Sequence, residues 1–380
     1  MYKNITDFIK EIYSNRLPVP LHEPCFKGNE KKYLQECIDS TFVSYVGPFV
    51  SRFEQMICDY TGSKFAVAMA NGTLALHLAL VASGVRRDDE VLTQAMTFVA
   101  TANAISQAGA QNIFLDSDLE TLGMSPEKLS AFLKEETIIK KDGYAYNKKT
   151  GRRISACVPV HIFGHPLKIA DIVKICSEYN IKVIEDAAES LGSWYRNKHT
   201  GTFGAAGILS FNGNKTITTG GGGMLVTDDA DLAMRAKHLS TTAKIPHAWE
   251  FRHDEIGYNY RMPNVNAAIG CAQMENLEIF ITQKRALADK YAEFFAKDGI
   301  EFFKEPEDCR SNYWLNTIIL NNRAERDSFL EYANDQQVMA RPGWCLMPNL
   351  PMYKNNECGN LSNAETLESK LVNIPSSVIC

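Results

Sequence analysis

The sequence predicts an α/β protein built on a large, mainly parallel sheet, with a smaller α+β domain at its C-terminal end. Between about residue 62 and residue 227, short β-rich runs alternate with helical stretches. Several of those runs lack the polar alternation of a half-exposed sheet, which points to strands covered on both faces. The chain has 380 residues, 45% of them hydrophobic and 22% charged, enough for one large core and a second, smaller one.

Seven strands are expected in the large sheet: Phe65–Met69, Glu90–Thr93, Asn112–Leu115, Ala156–Val160, Lys182–Ile184, Ile208–Ser210 and Met224–Val226. Helices are expected over Thr73–Ser83, Thr97–Ala108, Ser125–Leu133 and Ile169–Tyr179, with Ser125 capping the third. The polar stretch Lys140–Arg153 carries Asp142-Gly143 and Thr150-Gly151, turn chemistry that reads as an exposed hairpin or loop. After Pro263, apolar residues at helical spacing predict one long connecting helix over Asn264–Lys297. A strand at Trp314–Leu320 and a helix at Ala324–Asn334 complete the smaller domain. The expected division is an N-terminal segment 1–41, a large domain 42–250, and a connecting helix with small domain 251–380.

A net charge of −5 offers no basic field for a polyphosphate backbone, so nucleic acid is a poor partner. Met1–Phe8 lacks the apolar core of a secretory signal, and no stretch reaches the ~18 apolar residues of a membrane helix. A cytoplasmic protein is the expectation, without membrane partner. The 10 cysteines form no CxxC pair and no His/Cys cluster at zinc spacing, which predicts isolated reduced thiols and no metal site.

Open α/β sheets bind ligands at the carboxyl ends of their strands. Val183-Ile184-Glu185-Asp186 ends a buried strand in acids, and the following strand runs through Ser210 toward Lys215, so carboxylate and amine can face one ligand. Pyridoxal 5′-phosphate (PLP) chemistry needs that pair: a lysine amine to hold the cofactor, and a carboxylate to keep its pyridine nitrogen protonated. Taken alone, a lysine in a glycine-rich turn is most often a solvated surface residue, and Asp186 equally suits a helix cap. The combination carries the assignment.

Asn71-Gly72-Thr73 follows a strand and opens a helix, whose N-terminus favours a phosphate; as a bare turn and cap it is equally common. Ser210 adds a hydroxyl near the lysine, and Phe98 is placed either to stack on a flat ring or to fill the core. Asn214 rather than Gly precedes Lys215, so the P-loop pattern is absent, and no GxGxxG follows the first strand. Gly220–Gly223 reads as a turn that allows close backbone approach.

With these residues in view, the chain from about Phe42 onward resembles the DegT/DnrJ/EryC1/StrS family of PLP-dependent sugar aminotransferases. The resemblance rests on Tyr45-Val46-Gly47-Pro48 with Phe53-Glu54, Asn71–Leu76, Thr97–Asn103, Pro159–Gly164, Glu185–Ala188, Ser210–Gly220 and Gly257–Met262. It implies the fold-type I, aspartate aminotransferase-like architecture and a homodimer with shared active sites. In that frame Lys215 holds the cofactor, Asp186 pairs with the pyridine nitrogen, Phe98 stacks on the ring, and Gly72, Thr73 and Ser210 bind the phosphate. Asn259 reaches the partner's phosphate, and His161 stands at the family's strand-end histidine. Glu189, where the family often has Gln or His, belongs to the cofactor pocket, and Gly221 stands where Glu is common. Retained Lys215 argues against the family's dehydratase branch, in which histidine replaces it.

Pro20–Pro24, Gly28–Tyr33, Cys37–Ser44 and the 140–153 insertion resemble a LegC-like subgroup. That likeness implies amino transfer from glutamate to C4 of a nucleotide-linked 4-keto-6-deoxy-N-acetylhexosamine in bacterial surface-glycan biosynthesis. The alternatives are C3 amination, C4 amination of another nucleotide sugar of the perosamine type, and a catalytically silent PLP-binding regulator. Trp344, Arg341 and Met347 stand as uncommitted candidates for the substrate side.

Overall fold

The computed structural model describes residues 1–379. Three helices lead in: α1 (Tyr2–Ile12), α2 (Glu30–Asp39) and α3 (Pro48–Thr61). Strand and helix then alternate through β1 (Phe65–Met69), α4 (Gly72–Ala82), β2 (Glu90–Gln94), α5 (Val99–Gln107), β3 (Gln111–Leu115) and α6 (Pro126–Glu136). The pattern continues with β4 (Ile154–Val158), α7 (Ile169–Glu178), β5 (Lys182–Asp186), β6 (Ala206–Ser210), β7 (Gly223–Thr227) and α8 (Ala230–Ser240).

The C-terminal part holds α9 (Asn264–Met274), α10 (Leu277–Asp298), β8 (Glu301–Phe302), β9 (Asn316–Ile319) and α11 (Arg323–Asp335). It ends with β10 (Arg341–Pro342), β11 (Glu357–Cys358), α12 (Ser362–Lys370) and β12 (Leu371–Ile374).

The large sheet runs β1-β7-β6-β5-β4-β2-β3-β11. All seven expected strands are in it, and the C-terminal part adds an eighth, β11, parallel to β3. Only β7 is antiparallel, pairing with β1 on one side and β6 on the other. The remaining strands therefore point one way, and their carboxyl ends share one edge of the sheet.

Burial follows the two-residue period of a strand. Val67, Met69, Ile208 and Leu225 pack under α4, α5 and α8, while Ala68, Leu209, Met224 and Val226 pack under α3 and α9. Leu76, Leu78 and Leu80 on α4 are all buried, and at about 1.5–3 kcal/mol each they outweigh the loss of side-chain polarity along that helix. The helix sits tightly under the sheet and fixes its own N-terminus at the strand-end edge.

A second sheet, β8-β9-β12-β10, is entirely antiparallel. Ile5 and Ile9 of α1 join its core with Phe295, Ile318 and Val372. Residues 137–139 and 145–147 pair as a hairpin around the Asp142-Gly143 turn; residues 138–144 at its tip are exposed as expected, but Thr137, Ala145 and Asn147 at its base are buried.

Several expectations need correction. The strand predicted to reach Val160 stops at Val158, because Pro159 has no N–H for the ladder. The strand predicted from Trp314 begins at Asn316. The single helix predicted over Asn264–Lys297 is two, broken at Glu275-Asn276. The Asn276 side chain donates to the Ala272 carbonyl at 3.1 Å, the acceptor that its own backbone N–H would use in a continuous helix. That N–H turns to Gln273 instead, at 3.0 Å. Among the described cysteines eight are free thiols, but Cys25 is disulfide-bonded, against the expectation of isolated thiols. No helix among the described residues is long and apolar enough to cross a membrane.

Candidate active site

The shared strand-end edge opens into a cavity of about 790 Å3. Seven of the eight site residues expected from the sequence line it: Gly72, Thr73, Phe98, Asp186, Glu189, Ser210 and Lys215. Asn259 does not. It lies exposed on a loop bridged to Thr241, outside the cavity of its own chain.

The phosphate end is built from the turn between β1 and α4. Asn71 caps the helix, its Oδ1 accepting the Leu74 N–H at 2.9 Å, which leaves the first-turn amides of Gly72 and Thr73 facing the cavity without intrahelical partners. Close packing here excludes side chains. A Cβ on Gly72 would lie 3.0 Å from Ser210 Cβ, and one on Gly223 would lie 2.6 Å from the Gly72 nitrogen. The glycine run thus does what its sequence suggests: it lets β7 approach the anion-binding turn.

Asp186 ends β5 and is buried. Its Oδ2 accepts the Thr101 hydroxyl at 2.8 Å and its Oδ1 the Ala188 N–H at 3.2 Å. Thr101 is in turn 2.9 Å from the Thr97 hydroxyl. Burial pushes the Asp186 carboxyl above its ordinary range, against the pull of Thr101, the Ala188 amide, Lys215 and His161. A cationic ring nitrogen opposite it would reverse that push.

Lys215 sits in the loop between β6 and β7. Its ammonium is 3.3 Å from Glu189 Oε1 and 3.8 Å from the centroid of the Trp314 ring. Trp314 fixes that loop by donating its indole N–H to the Asn214 carbonyl at 2.6 Å. Asn312 adds bonds to the Glu189 carbonyl at 2.9 Å and the Leu191 carbonyl at 2.8 Å.

Glu189 is held from behind by the Phe163 N–H, 2.8 Å from Oε2. Phe163 has φ +54°, a left-handed conformation uncommon for a bulky residue, and it aims that amide at the carboxylate. Burial raises the Glu189 carboxyl, and Lys215 pulls it back.

Phe98, the N-cap of α5, is 52% exposed, which rules out the core alternative; its ring faces Trp344 at 6.1 Å. The two acids that looked alike in Glu185-Asp186 point opposite ways. Glu185 is fully buried beneath the sheet edge, where it accepts from the Gly201, Phe203 and Gly204 amides and pairs with His161 at 3.0 Å. His161 therefore braces the 199–204 turn and does not line the cavity. Arg341 and Trp344 do line it, whereas Met347 is buried in the core beside it.

Sequence reasoning missed Thr101, Trp314 and His22. Thr101 follows Phe98 by one helical turn, a spacing that offered a signal. Trp314 stands about a hundred residues from Lys215 in sequence, and nothing local announces it.

The residues fit PLP: an amine, a buried carboxylate, an exposed aromatic face and an amide-lined turn in which glycine is sterically required converge in one cavity.

Comparison with known proteins agrees. Residues 24–379 match the model of the DegT/DnrJ/EryC1/StrS aminotransferase family. The chain is 37% identical over 358 residues to the GDP-perosamine synthase of Escherichia coli O157:H7, covering 94% of this chain and 93% of that protein. It is 36% identical over 342 residues to the GDP-perosamine synthase of Vibrio cholerae, covering 89% and 88%. Among solved structures, the aminotransferase TlmJ of Streptoalloteichus hindustanus superposes with a TM-score of 0.84 at 26% identity, over 94% of this chain and 93% of that one.

Proposed function

The chain belongs to the DegT/DnrJ/EryC1/StrS aminotransferase family, and on that premise we propose that it moves an amino group from glutamate to C4 of a nucleotide-linked 4-keto-6-deoxyhexose. It is a PLP-dependent sugar aminotransferase. Its two most informative relatives are GDP-perosamine synthases, which favours a perosamine-type sugar over the N-acetylhexosamine that the LegC-like resemblance implied. The N-acetylated substrate stays as the second reading, supported by Pro20–Pro24 and the 140–153 hairpin.

The observation that carries the reading is the convergence of the Lys215 amine with the Asp186 and Glu189 carboxylates in one cavity. When bound, PLP supplies a carbonyl that takes up the amino group and a ring that accepts electrons. In this reading Gly72 and Thr73 offer backbone N–H groups to its phosphate and Ser210 a hydroxyl. Phe98 covers one face of the ring, and the Asp186 carboxylate, held by Thr101, keeps a proton on the ring nitrogen.

Lys215 Nζ carries the proton removed from the α-carbon of glutamate, and later returns one to C4 of the sugar. Glu189 Oε1 orients that amine between strokes. The Trp314 and Trp344 rings exclude water from the reacting carbon. Asn259, at the surface, serves the phosphate of a second copy. A homodimer is further supported by Trp249, Phe251 and Ile256, which are each more than three-quarters exposed.

Incubation with glutamate and a panel of GDP-, UDP- and dTDP-linked 4-keto-6-deoxy sugars, with NMR of the product, tests the proposal. A new nitrogen at C4 supports it. A nitrogen at C3, or a deoxygenated product, replaces it.

A further inference from the structure

Lys215 Nζ moves the proton in the proposed reaction, so whatever fixes the loop between β6 and β7 bears on its rate. The Lys215 backbone makes a turn bond to the Asn212 carbonyl at 3.0 Å, and no heavy atom lies within 4 Å of where a Cβ on Gly213 would stand. The loop therefore has open space on that side. The residue before Lys215 and the residue after it are both held by one distant segment, 312–314. Trp314 donates its indole N–H to the Asn214 carbonyl at 2.6 Å, and Asn312 Nδ2 donates to Thr216 Oγ1 at 3.2 Å. The two grips meet in Asn312, because its Oδ1 accepts the Trp314 backbone N–H at 2.8 Å.

The same amide reaches the carboxylate residue that faces Lys215. Nδ2 donates to the Glu189 carbonyl at 2.9 Å and the Leu191 carbonyl at 2.8 Å, so its two hydrogens serve three acceptors. The Asn312 N–H donates to Ser193 Oγ at 2.9 Å, and that hydroxyl donates to the Gly164 carbonyl at 2.6 Å. Gly164 follows Phe163, whose amide holds Glu189 Oε2 at 2.8 Å. A Cβ on Gly164 would strike Asn312 Oδ1, so that turn closes on the amide only with glycine in place.

Asn312 is fully buried, and it does not line the cavity. It acts through the groups it holds. A buried polar network whose members are all satisfied keeps them in one arrangement, and here the members are the two flanks of Lys215 and the backbone of Glu189.

We infer that Asn312 is a positioning residue that sets the Lys215 amine against Glu189 for proton transfer. This assignment rests on the proposed role of Lys215 as the proton carrier.

The test uses the PLP-loaded enzyme with Asn312→Ala, Thr216→Val and Thr216→Ser. Single-turnover absorbance gives the rate constant with glutamate and with α-deuterated glutamate, and visible circular dichroism reads the geometry of the bound cofactor. Asn312→Ala should slow the rate constant by roughly ten- to a hundredfold, keep the glutamate KM within about twofold, and change the visible dichroism. Its deuterium isotope effect should equal or exceed that of the wild type, since proton transfer is the step slowed. Thr216→Val cuts only the branch to the Lys215 loop and should slow the same constant by less; it carries the expectation should Asn312→Ala fail to fold. Thr216→Ser keeps the accepting oxygen and should react near the wild-type rate. A purely structural role lowers the amount of reactive protein and leaves the rate constant and dichroism of the folded fraction unchanged, which overturns the inference. A smaller isotope effect, or Thr216→Ser as slow as Thr216→Val, overturns it too, and all three results leave the role of Lys215 standing. A Lys215→Ala enzyme that reacts with glutamate at a near-normal rate overturns both roles together.

Discussion

Lys215 and Asp186 divide the chemistry, and their surroundings explain how. The amine is pinned between a carboxylate and an indole face, so it is oriented without being locked into a tight ion pair. Replacing Lys215 with Ala should cut turnover with both substrates by about a thousandfold or more. Steady-state rates with glutamate and the keto sugar check this, and near-normal turnover would remove Lys215 from the mechanism. Asp186→Asn keeps the shape and the Thr101 contact but loses the charge that faces the ring nitrogen. It should lower kcat by roughly a hundredfold or more while the protein still binds PLP, as equilibrium dialysis would show. Full activity in that variant would contradict the assigned role. Asp186 and Lys215 were legible in the sequence because each ends or follows a buried strand, where topology fixes position. Glu185 and Asp186 were not separable by sequence alone, since adjacent strand residues differ only in which face they take.

The turn between β1 and α4 shows what a sequence does and does not reveal about an element. Asn71-Gly72-Thr73 reads as a cap and anion site directly, because the cap residue and the missing side chain are local chemistry. The reason that glycine is needed at residue 223 comes from another strand: β7 passes so close that a Cβ there would strike the Gly72 nitrogen. Gly223→Ala should therefore raise the apparent Kd for PLP by roughly tenfold, read by fluorescence titration; unchanged affinity would show that the turn relaxes freely. The break between α9 and α10 was illegible for a related reason. The apolar spacing runs on without interruption, and only the competition of the Asn276 side chain for the Ala272 carbonyl ends the first helix. Glu54 and Arg261, both within stretches that carry the family resemblance, form a 2.7 Å ion pair that ties α3 to the loop after α8.

At the scale of the whole molecule, the sheet was legible because its strands are short, apolar and punctuated. The small domain's contribution was not, because Trp314, Arg341 and His22 reach the cavity only through long-range packing. The same packing buries histidines that must stay neutral. Burial pushes His165 down to about 3 and His199 to about 4, from an ordinary 6.5. A depressed folded value means that the unfolded chain binds more protons over this interval. The stability these groups give is complete above pH 6.5 and is lost as pH falls toward 4 and then 3. Each pKa unit corresponds to about 1.4 kcal/mol, so melting temperature should drop markedly between pH 6.5 and 4. The raised carboxyls of Asp186 and Glu189 act with opposite sign just above their ordinary values of 3.8 and 4.5. His165→Phe should flatten the acid slope in thermal melts, and an unchanged slope would assign it elsewhere. The exposed Trp249, Phe251 and Ile256 predict a mass near twice 42.5 kDa in light scattering, with Phe251→Asp shifting it toward the monomer. The most direct test of the central claim is the visible absorption spectrum of the purified protein beside Lys215→Ala, before and after glutamate. A lysine-bound cofactor band is expected in the wild type, one that glutamate abolishes and that the variant never forms. A wild type that takes up no PLP when it is supplied, or a variant with the same band, would contradict it.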